Sequence, residues 1–310
     1  MAGRKSTTGL WMDNIGKSMK FIVSGNAGFI GSHLADELLK QGEVFGIDDM
    51  STGKWENVNV KVNGAVIDIN NLIDIHFKPD VIYHCAARAS IPDSIANPFG
   101  SNNQNVGGIL RVLEMARKTG AVVVFSSSSS VYGNASIPTR ENNPPNPMSP
   151  YALQKLIGEW YCELYWKLYG VKSVALRYFN VFGERQETAN GGYCLVLAKF
   201  IDQYKNKKPF TIVGTGEQRR DFVYVGDVVE ANLKAAEFAK TANGFEVFNI
   251  GGGKNYSVNE LADMINQTHP REQLPPRIEP LEMLADISKA KRVLNWSPKI
   301  ELKNWIKSLI

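Results

Sequence analysis

Short apolar segments alternate with longer amphipathic segments between residues 20 and 180 of the chain. The short segments predict strands, and the longer ones, whose apolar residues recur every three or four positions, predict helices. Segments such as VVVF have no polar side, which is typical of strands in a parallel sheet covered by helices on both faces. The alternation therefore predicts a doubly wound α/β sheet. We predict strands at residues 21–24, 44–48, 81–85, 122–126 and 174–177, and helices at residues 28–41, 101–119 and 151–169.

The pattern changes after residue 180, where mixed helices, short strands and loops replace the regular alternation. We predict that residues 19–180 form the domain built on the sheet and that residues 181–310 mainly form a smaller C-terminal lobe. A segment near 222–250 is expected to return to the sheet through a strand at 245–250. Residues 1–18 are polar and without periodicity, and we interpret them as a disordered leader or tag.

Composition and charge narrow the class of protein only slightly. The chain is 44% hydrophobic and 21% charged, as expected of an ordinary globular enzyme. A net charge of +4 is too small to predict nucleic-acid binding. The sequence contains no recognisable membrane span or signal peptide, and its three cysteines are too scattered to predict a disulfide framework. We therefore expect a cytoplasmic protein that binds no membrane, and the dispersed histidines predict no metal site.

Three glycines follow the first predicted strand at the spacing G-x-x-G-x-x-G and lead into the first predicted helix. Gly25 permits a tight turn, Gly28 lets the backbone approach a pyrophosphate, and Gly31 lets the helix lie close to the strand. The second predicted strand ends at Asp48, whose carboxylate can accept the ribose hydroxyls of NAD and would repel the additional phosphate of NADP. The arrangement predicts a Rossmann-type NAD site. Lys54 follows closely, so NADP stays open as the alternative.

Asp68 follows a third short apolar stretch. Its carboxylate is placed to reach the adenine amino group of a bound NAD. The alternative interpretation is that this carboxylate caps a helix.

Tyr151 and Lys155 lie four residues apart, on one face of a predicted helix. A tyrosine with its usual pKa of about 10 is a poor base at neutral pH, but a neighbouring ammonium and a nicotinamide ring lower that pKa. The same spacing also occurs by chance in solvated helix pairs. Here the residues are accompanied by serines 126–130, at the carboxyl end of a predicted strand where a doubly wound sheet binds ligands. One of these serines is expected to orient a substrate hydroxyl and share its proton with Tyr151.

The chain resembles the extended short-chain dehydrogenase/reductases of the NAD-dependent nucleotide-sugar epimerase/dehydratase family, from about Lys20 to near the C-terminus. The blocks that carry the resemblance are SGNAGFIGSHL, GIDDMSTGK, HCAARAS, FSSSSSVYG, SPYALQKLIGE, LRYFNVFG, GTGEQRRDFVYVGDVVEA, FNIGGG and ADISKAKRVLNWSP. The resemblance implies NAD as the cofactor and a nucleotide-sugar, expected to be a UDP-sugar, as the substrate, bound largely by the C-terminal lobe.

The resemblance also implies roles for individual residues. Tyr151 is expected to be the acid/base, Lys155 its partner and Ser128 the catalytic serine. The cofactor-binding residues are expected to be Gly25, Gly28, Phe29, Ile30, Gly31, Asp48, Asp49, Ser51, Gly53, Asp68, Ile69, Ala86, Ala87, Asn105, Ser126, Tyr151, Lys155 and Tyr178. The substrate-binding residues are expected to be Ser127, Ser128, Tyr151, Asn180, Thr211, Val213, Arg220, Arg277, Glu279 and Met283, of which Arg220 and Arg277 suit the diphosphate. For Asn105 a helix-interior hydrogen bond is the alternative, and for Arg220 a surface position.

The loop after the fourth strand separates the branches of this family. The 4,6-dehydratases carry an Asp-Glu pair directly before VYG, and the decarboxylases carry a glutamate in the same loop, whereas this chain has Ser129 and Ser130. The resemblance therefore favours a 4-epimerase, most similar to the UDP-glucose and UDP-N-acetylglucosamine 4-epimerases, in which NAD is recycled. The alternatives are a UDP-glucuronate 4-epimerase, an NAD(P)H-dependent nucleotide-sugar reductase and, remotely, a redox-inert NAD(P) sensor.

Sugar choice and assembly depend on fewer residues. Met283 aligns with a family position that helps to decide whether an N-acetyl group fits, and its flexible thioether suits both kinds of sugar. Arg88 is expected either to contact a uronate carboxylate or to pair with a surface acid. A homodimer is implied through the helices at 101–119 and 151–169. The residues Trp160, Leu164 and Leu168 would form its contact face or, alternatively, the face buried against the sheet.

Overall fold

The computed structural model describes residues 18–72, 76–186, 195–276 and 279–309. The proposed leader, apart from its last residue, and the expected diphosphate ligand Arg277 lie outside the described residues. No helix in the described ranges is both long and apolar enough to cross a membrane.

The chain forms thirteen strands within the described ranges. In chain order they are β1 (Met19–Ser24), β2 (Gly42–Asp48), β3 (Asn63–Val66), β4 (Val81–His84), β5 (Val122–Ser128), β6 (Ser173–Tyr178), β7 (Val181–Phe182), β8 (Phe210–Val213), β9 (Arg219–Asp221), β10 (Val223–Tyr224), β11 (Glu246–Ile250), β12 (Asn255–Ser257) and β13 (Arg271–Leu274).

Seven of these strands form one parallel sheet in the order β11-β6-β5-β4-β1-β2-β3. The strand order reverses between β1 and β4, and a doubly wound sheet binds its ligands in the crevice at this point. The predicted fold class is therefore confirmed. The strand expected at 245–250 returns to the sheet as β11, which pairs with β6.

Helices cover both faces of the sheet. The α-helices of the described ranges are α1 (Phe29–Leu38), α2 (Ile91–Ala96), α3 (Pro98–Asn102), α4 (Gly108–Thr119), α5 (Pro150–Tyr169), α6 (Val196–Lys205), α7 (Val225–Thr241), α8 (Val258–Asn266), α9 (Ser288–Leu294) and α10 (Leu302–Leu309). Of these, α6, α8 and α10 belong to the C-terminal lobe. One π-helical turn, Asn103–Gly107, joins α3 to α4, so the helix predicted at 101–119 is interrupted and starts earlier than expected.

Alternate residues of each strand pack into two different cores because successive side chains point to opposite faces. Phe21 and Val23 of β1 join a core that includes α1 and α7, whereas Ile22 joins a core that includes α4. A third core fills the C-terminal lobe and includes Phe200 and Phe210. Three pairs of short strands, β7 with β10, β8 with β13 and β9 with β12, contribute to this lobe.

The helix α5 begins and ends as its sequence predicts. Ser149 accepts a hydrogen bond from the Ala152 N–H at 3.2 Å, and Pro150 occupies the first turn, where no N–H donor is needed. Gly170 ends the helix in the left-handed conformation, with φ of 68°. The start of α5 is therefore fixed, and with it the position of Tyr151.

Candidate active site

The glycine turn between β1 and α1 leaves no room for side chains. Gly25 has φ of 77°, and a Cβ atom there would lie 2.7 Å from the backbone nitrogen of Ala86. A Cβ at Gly31 would overlap the carbonyl oxygen of Gly25, so α1 can lie close to the strand only with glycine there. Gly28 stands at the N-terminus of α1, followed by Phe29 and Ile30 in its first turn. The exposed N–H groups of this turn suit a pyrophosphate.

Asp48 ends β2 beside the glycine turn. Its Oδ2 accepts the N–H of Ala27 and its Oδ1 accepts the N–H of Met50, both at 2.9 Å. Burial raises the pKa of this carboxyl, and the two backbone donors oppose that effect. Each oxygen retains a lone pair that can accept a ribose hydroxyl. The glycine cradle and the fixed carboxylate fit NAD.

The other expected adenosine-side residues lie in the loops beside Asp48 and after β3. Asp49 accepts the Ser51 N–H at 2.9 Å, and a Cβ at Gly53 would lie 2.8 Å from Asp48 Oδ1. Asp68 caps the 3₁₀ turn Ile69–Asn71, so the capping interpretation is confirmed. The Ile69 side chain is buried in the core. Contact of Asp68 with adenine stays a prediction.

Lys155 is buried under the crevice. Its Nζ donates to the carbonyl oxygen of Ser126 at 2.8 Å and lies 5.8 Å from the centre of the Tyr151 ring. Burial lowers the pKa of Lys155 to about 8. The hydrogen bond holds α5 against the carboxyl end of β5, and Ser128 lies at that end. The structure thus brings the three expected catalytic residues to the same end of the sheet.

The five serines at 126–130 have different surroundings. Ser126 Oγ lies 3.3 Å from the Tyr178 hydroxyl, an expected cofactor neighbour. Ser128 is partly exposed. Ser127 instead donates to Glu159 Oε1 at 2.5 Å, within a buried ion pair in which Arg177 lies 2.6 Å from Glu159. Because Ser127 points to the opposite side of β5 from its neighbours, the expected substrate contact of this residue is not supported.

Asn105 fixes the loop that follows β4, where Ala86 and Ala87 lie. Its Oδ1 accepts the Arg88 N–H at 2.8 Å, and its Nδ2 donates to the Arg88 carbonyl at 3.1 Å. These hydrogen bonds run to the loop after β4 and not within a helix, and the contact of Asn105 with the cofactor stays a prediction.

Gln154, which was not predicted from the sequence, extends this buried network. Gln154 Oε1 accepts from Asn105 Nδ2 at 2.7 Å, and its Nε2 donates to Ser101 Oγ at 2.9 Å. A polar residue directly before Lys155, on the buried side of the helix, was the available signal. The network connects α5, which carries Tyr151, to the loop after β4.

The C-terminal lobe places Arg220 in β9 with little exposure. Its guanidinium pairs with Glu279 at 2.7 Å and donates to the Arg219 carbonyl at 2.8 Å. Glu279, itself expected to bind the substrate, is therefore also the counter-ion of Arg220, the expected diphosphate ligand. Asn180 Nδ2 donates to the Asp221 carbonyl at 2.7 Å, which places Asn180 beside β9. The surface alternative for Arg220 is wrong, since this residue is 9% exposed.

Three further residues expected to bind substrate lie in the same lobe. Met283 donates its N–H to the Arg219 carbonyl at 3.1 Å, so it lies next to β9 and is only partly exposed. Thr211 and Val213 lie on β8, where Thr211 Oγ1 accepts from Gln203 Nε2 at 3.0 Å.

A glycine cradle, a fixed carboxylate and a Tyr–Lys pair at the carboxyl end of a Rossmann sheet are typical of enzymes that bind NAD and transfer a proton at a substrate hydroxyl. A sequence model of the NAD-dependent epimerase/dehydratase family matches residues 21–251. The chain belongs to this family and is an NAD-dependent enzyme, as its motifs predict.

Individual relatives agree with the family match. A putative UDP-glucose 4-epimerase of Methanocaldococcus jannaschii is 41% identical, over 93% of this chain and 96% of that protein. A solved UDP-glucose 4-epimerase of Thermotoga maritima with UDP-glucose has a TM-score of 0.87 and 36% identity, over 93% of this chain and 96% of that one. A UDP-N-acetylglucosamine 4-epimerase of Methanobrevibacter ruminantium, in complex with UDP-N-acetylmuramic acid, has a TM-score of 0.86 and 34% identity, over 94% and 96%.

Proposed function

We propose that the chain is a 4-epimerase that interconverts UDP-glucose and UDP-galactose, and also the corresponding N-acetylated pair. The observation that carries the proposal is the composition of the crevice. Tyr151, Lys155 and Ser128 supply one acid/base group with its supports, whereas Ser129 and Ser130 stand where the dehydratases carry carboxylates. Such a site can move a proton at one sugar carbon, but it has no second acid/base pair for eliminating water from the neighbouring carbon.

NAD, when bound, supplies the acceptor and donor of a hydride at C4 of the sugar. The residues of the chain accept the proton of the substrate hydroxyl and return it. The buried ammonium of Lys155 favours the phenolate form of Tyr151, which takes the proton from the 4-hydroxyl. Ser128 hydrogen-bonds the same oxygen. Once the keto sugar has turned over in the crevice, so that its other face receives the hydride, Tyr151 returns the proton to this oxygen. One acid/base tyrosine suffices for both halves of the reaction.

The proposal is tested with UDP-glucose, UDP-galactose, their N-acetylated forms and UDP-glucuronate, followed by product analysis. The purified protein is expected to carry NAD in stoichiometric amount and to convert the first four sugars without a net change in absorbance at about 340 nm, since the cofactor is recycled. Net consumption of NADPH would favour a reductase, and conversion of none of the sugars would contradict the proposal.

UDP-glucuronate is the second candidate substrate. Arg88 places a cation in the loop after β4, and Asn105 fixes the backbone at this residue. A guanidinium in the crevice loop is suited to a uronate carboxylate. If the protein turns over UDP-glucuronate in preference to the neutral sugars, and Arg88→Ala loses this activity, UDP-glucuronate is the substrate.

We also propose a homodimer that forms through α5 and α4. The exposed fractions of Trp160, Leu164 and Leu168 are 55%, 44% and 61%. These residues therefore do not form the face buried against the sheet, which removes that alternative. An apolar stripe of this length on a helix is typical of a protein–protein contact.

A further inference from the structure

The hydroxyl of Ser128 is held by a single neighbour through two hydrogen bonds. The backbone N–H of Ser130 donates to Ser128 Oγ at 3.2 Å, and Ser130 Oγ donates to the same atom at 2.9 Å. Ser128 thereby caps the 3₁₀ helix Ser129–Tyr132. Both Ser128 and Ser130 are partly exposed, so the pair lies at the surface of the crevice and not in the core.

The hydrogen-bonding capacity of a serine hydroxyl is limited to one donated hydrogen and two accepting lone pairs. The two donors of Ser130 occupy both accepting positions of Ser128 Oγ. The hydrogen of Ser128 is then the only part of this hydroxyl that can serve a further partner. Ser128 is thus a donor of fixed direction and not a freely rotating group.

We propose that Ser130 is a positioning residue that makes Ser128 an obligatory hydrogen-bond donor to the O4 oxygen of the sugar. This proposal rests on the proposed function. With both lone pairs occupied, Ser128 is unable to accept the O4 proton and pass it on. The proton moves directly to Tyr151: the O–H bond at O4 breaks, an O–H bond forms at the phenolate oxygen, and the electron pair stays on O4.

The residue type at position 130 matters for this arrangement. An ionised carboxylate, which the dehydratases are expected to carry here, has no hydrogen and only accepts. It would leave the second lone pair of Ser128 open and would reverse the direction of the hydrogen bond. A serine at position 130 therefore both removes a second acid/base group and supplies the donor that orients Ser128.

Ser130→Ala and Ser130→Thr separate the hydroxyl from the side-chain volume. We expect Ser130→Ala to lower kcat about tenfold, the effect of one neutral hydrogen bond, with KM and Tm little changed. Ser130→Thr retains the donor and is expected to restore kcat. Ser129→Ala is the matched control, because the Ser129 hydroxyl makes no hydrogen bond to Ser128 in the described structure. An unchanged kcat in Ser130→Ala, or an equal loss in Ser130→Thr, would overturn the proposal.

A double-mutant cycle tests whether Ser130 acts through Ser128. In the Ser128→Ala background the hydroxyl to be oriented is gone, so adding Ser130→Ala is expected to cause no further loss of kcat. If the two losses instead multiply, Ser130 acts on the substrate or on Tyr151 itself, and its role as a positioning residue for Ser128 is wrong.

Crystal structures of the wild type, Ser130→Ala and Ser130→Thr give a measure that does not depend on turnover. Ser128 is expected to occupy one rotamer in the wild type and in Ser130→Thr, and several rotamers in Ser130→Ala. The same single rotamer in Ser130→Ala would contradict the proposal. Failure of the proposed function would appear instead as a wild type that converts no UDP-sugar while Ser128 still responds to Ser130.

Discussion

Lys155 is a buried cation whose charge is required by its proposed role and opposed by its surroundings. Its ammonium has one backbone acceptor, the Ser126 carbonyl, and lies 5.1 Å from the centre of the Phe125 ring. These contacts compensate only part of the cost of removing the charge from water, and the pKa of Lys155 falls to about 8. A functional residue that lowers stability in this way is common in active sites.

Replacing Lys155 by methionine is expected to abolish epimerisation and to change how stability depends on pH. In the wild type the folded pKa, about 8, lies below the ordinary value of 10.5. Between these values the unfolded chain binds more protons, so the free energy of unfolding rises with pH, by roughly 3 kcal/mol at most. The variant lacks this rise, which denaturant unfolding from pH 7 to 10.5 measures. Lys61→Met, at an exposed lysine, is the control, and parallel profiles for wild type and Lys155→Met would contradict the expectation.

Met283 is the residue at which sugar choice is most directly tested. Its backbone is fixed to β9, so a larger side chain has to occupy the space in front of the strand. We expect Met283→Tyr to lower kcat/KM for the N-acetylated sugars tenfold or more, which is about the effect of filling the space that the N-acetyl group needs. The kcat/KM for UDP-glucose is expected to stay unchanged. Met283→Leu preserves the volume and serves as the control. Equal losses for both kinds of sugar would show that Met283 does not select between them.

The residues that could be predicted from the sequence have a geometry set by nearby residues, whereas those that were missed depend on the tertiary structure. Gly25, Asp48 and the Tyr–Lys pair were recognisable because local spacing alone determines their geometry. Ser127 was assigned to the substrate together with Ser128, although the two-residue period of a strand turns neighbouring side chains to opposite faces and Ser127 contacts Glu159 instead. Gln154 was missed because its partners, Asn105 and Ser101, are about fifty residues distant and only the tertiary structure brings them together.

At the scale of elements, a buried ion pair joins three parts of the sheet domain. Glu159 of α5 pairs with Arg177 of β6 and accepts from Ser127 of β5. Arg177 also donates to the Glu141 carbonyl at 3.3 Å and stacks 4.5 Å from the centre of the Tyr132 ring. The pair therefore also fixes the loop between β5 and α5, which leads to Tyr151.

Glu159→Ala is expected to destabilise the protein by several kcal/mol, because Arg177 is left as an uncompensated buried charge. Thermal or urea unfolding measures the loss. Glu163→Ala, four residues further along the same helix, removes the exposed pair with Lys167 and is expected to cost less than about 0.5 kcal/mol. Similar losses in the two variants would show that burial does not determine the contribution of the Glu159–Arg177 pair.

Elements differed in how far the sequence predicted them. Six of the seven strands of the large sheet were predicted to within about two residues, since mostly apolar runs bounded by loops are distinctive. The seventh, β3, was not predicted, because its sequence NGAV is short and only half apolar. The helix at 101–119 was predicted as one continuous α-helix, whereas Asn103–Gly107 forms a π-helical turn. The small strands of the C-terminal lobe, such as Val181–Phe182, were not predicted, because two to four residues are too short to show a period.

At the scale of the whole molecule, the proposed homodimer depends on the exposed stripe of α5, formed by Trp160, Leu164 and Leu168. We expect the wild type to be a dimer by light scattering or native mass spectrometry. Leu164→Glu is expected to yield monomers at micromolar concentration, since a charge would be buried without a partner in the contact. Val60→Glu, at a residue 98% exposed in the turn before β3, controls for the added charge. A monomeric wild type would contradict the proposed dimer.

The return of β11 to the sheet has a consequence for how the protein is made. The strand β6 is buried along its whole length, and one of its edges is completed only by β11, about seventy residues later in the chain. Until the ribosome has synthesised that strand, the edge of β6 presents unpaired N–H and carbonyl groups that can recruit other chains. The boundary near residue 180, visible in the sequence, is therefore not a folding boundary. A fragment that ends there would expose a template for aggregation.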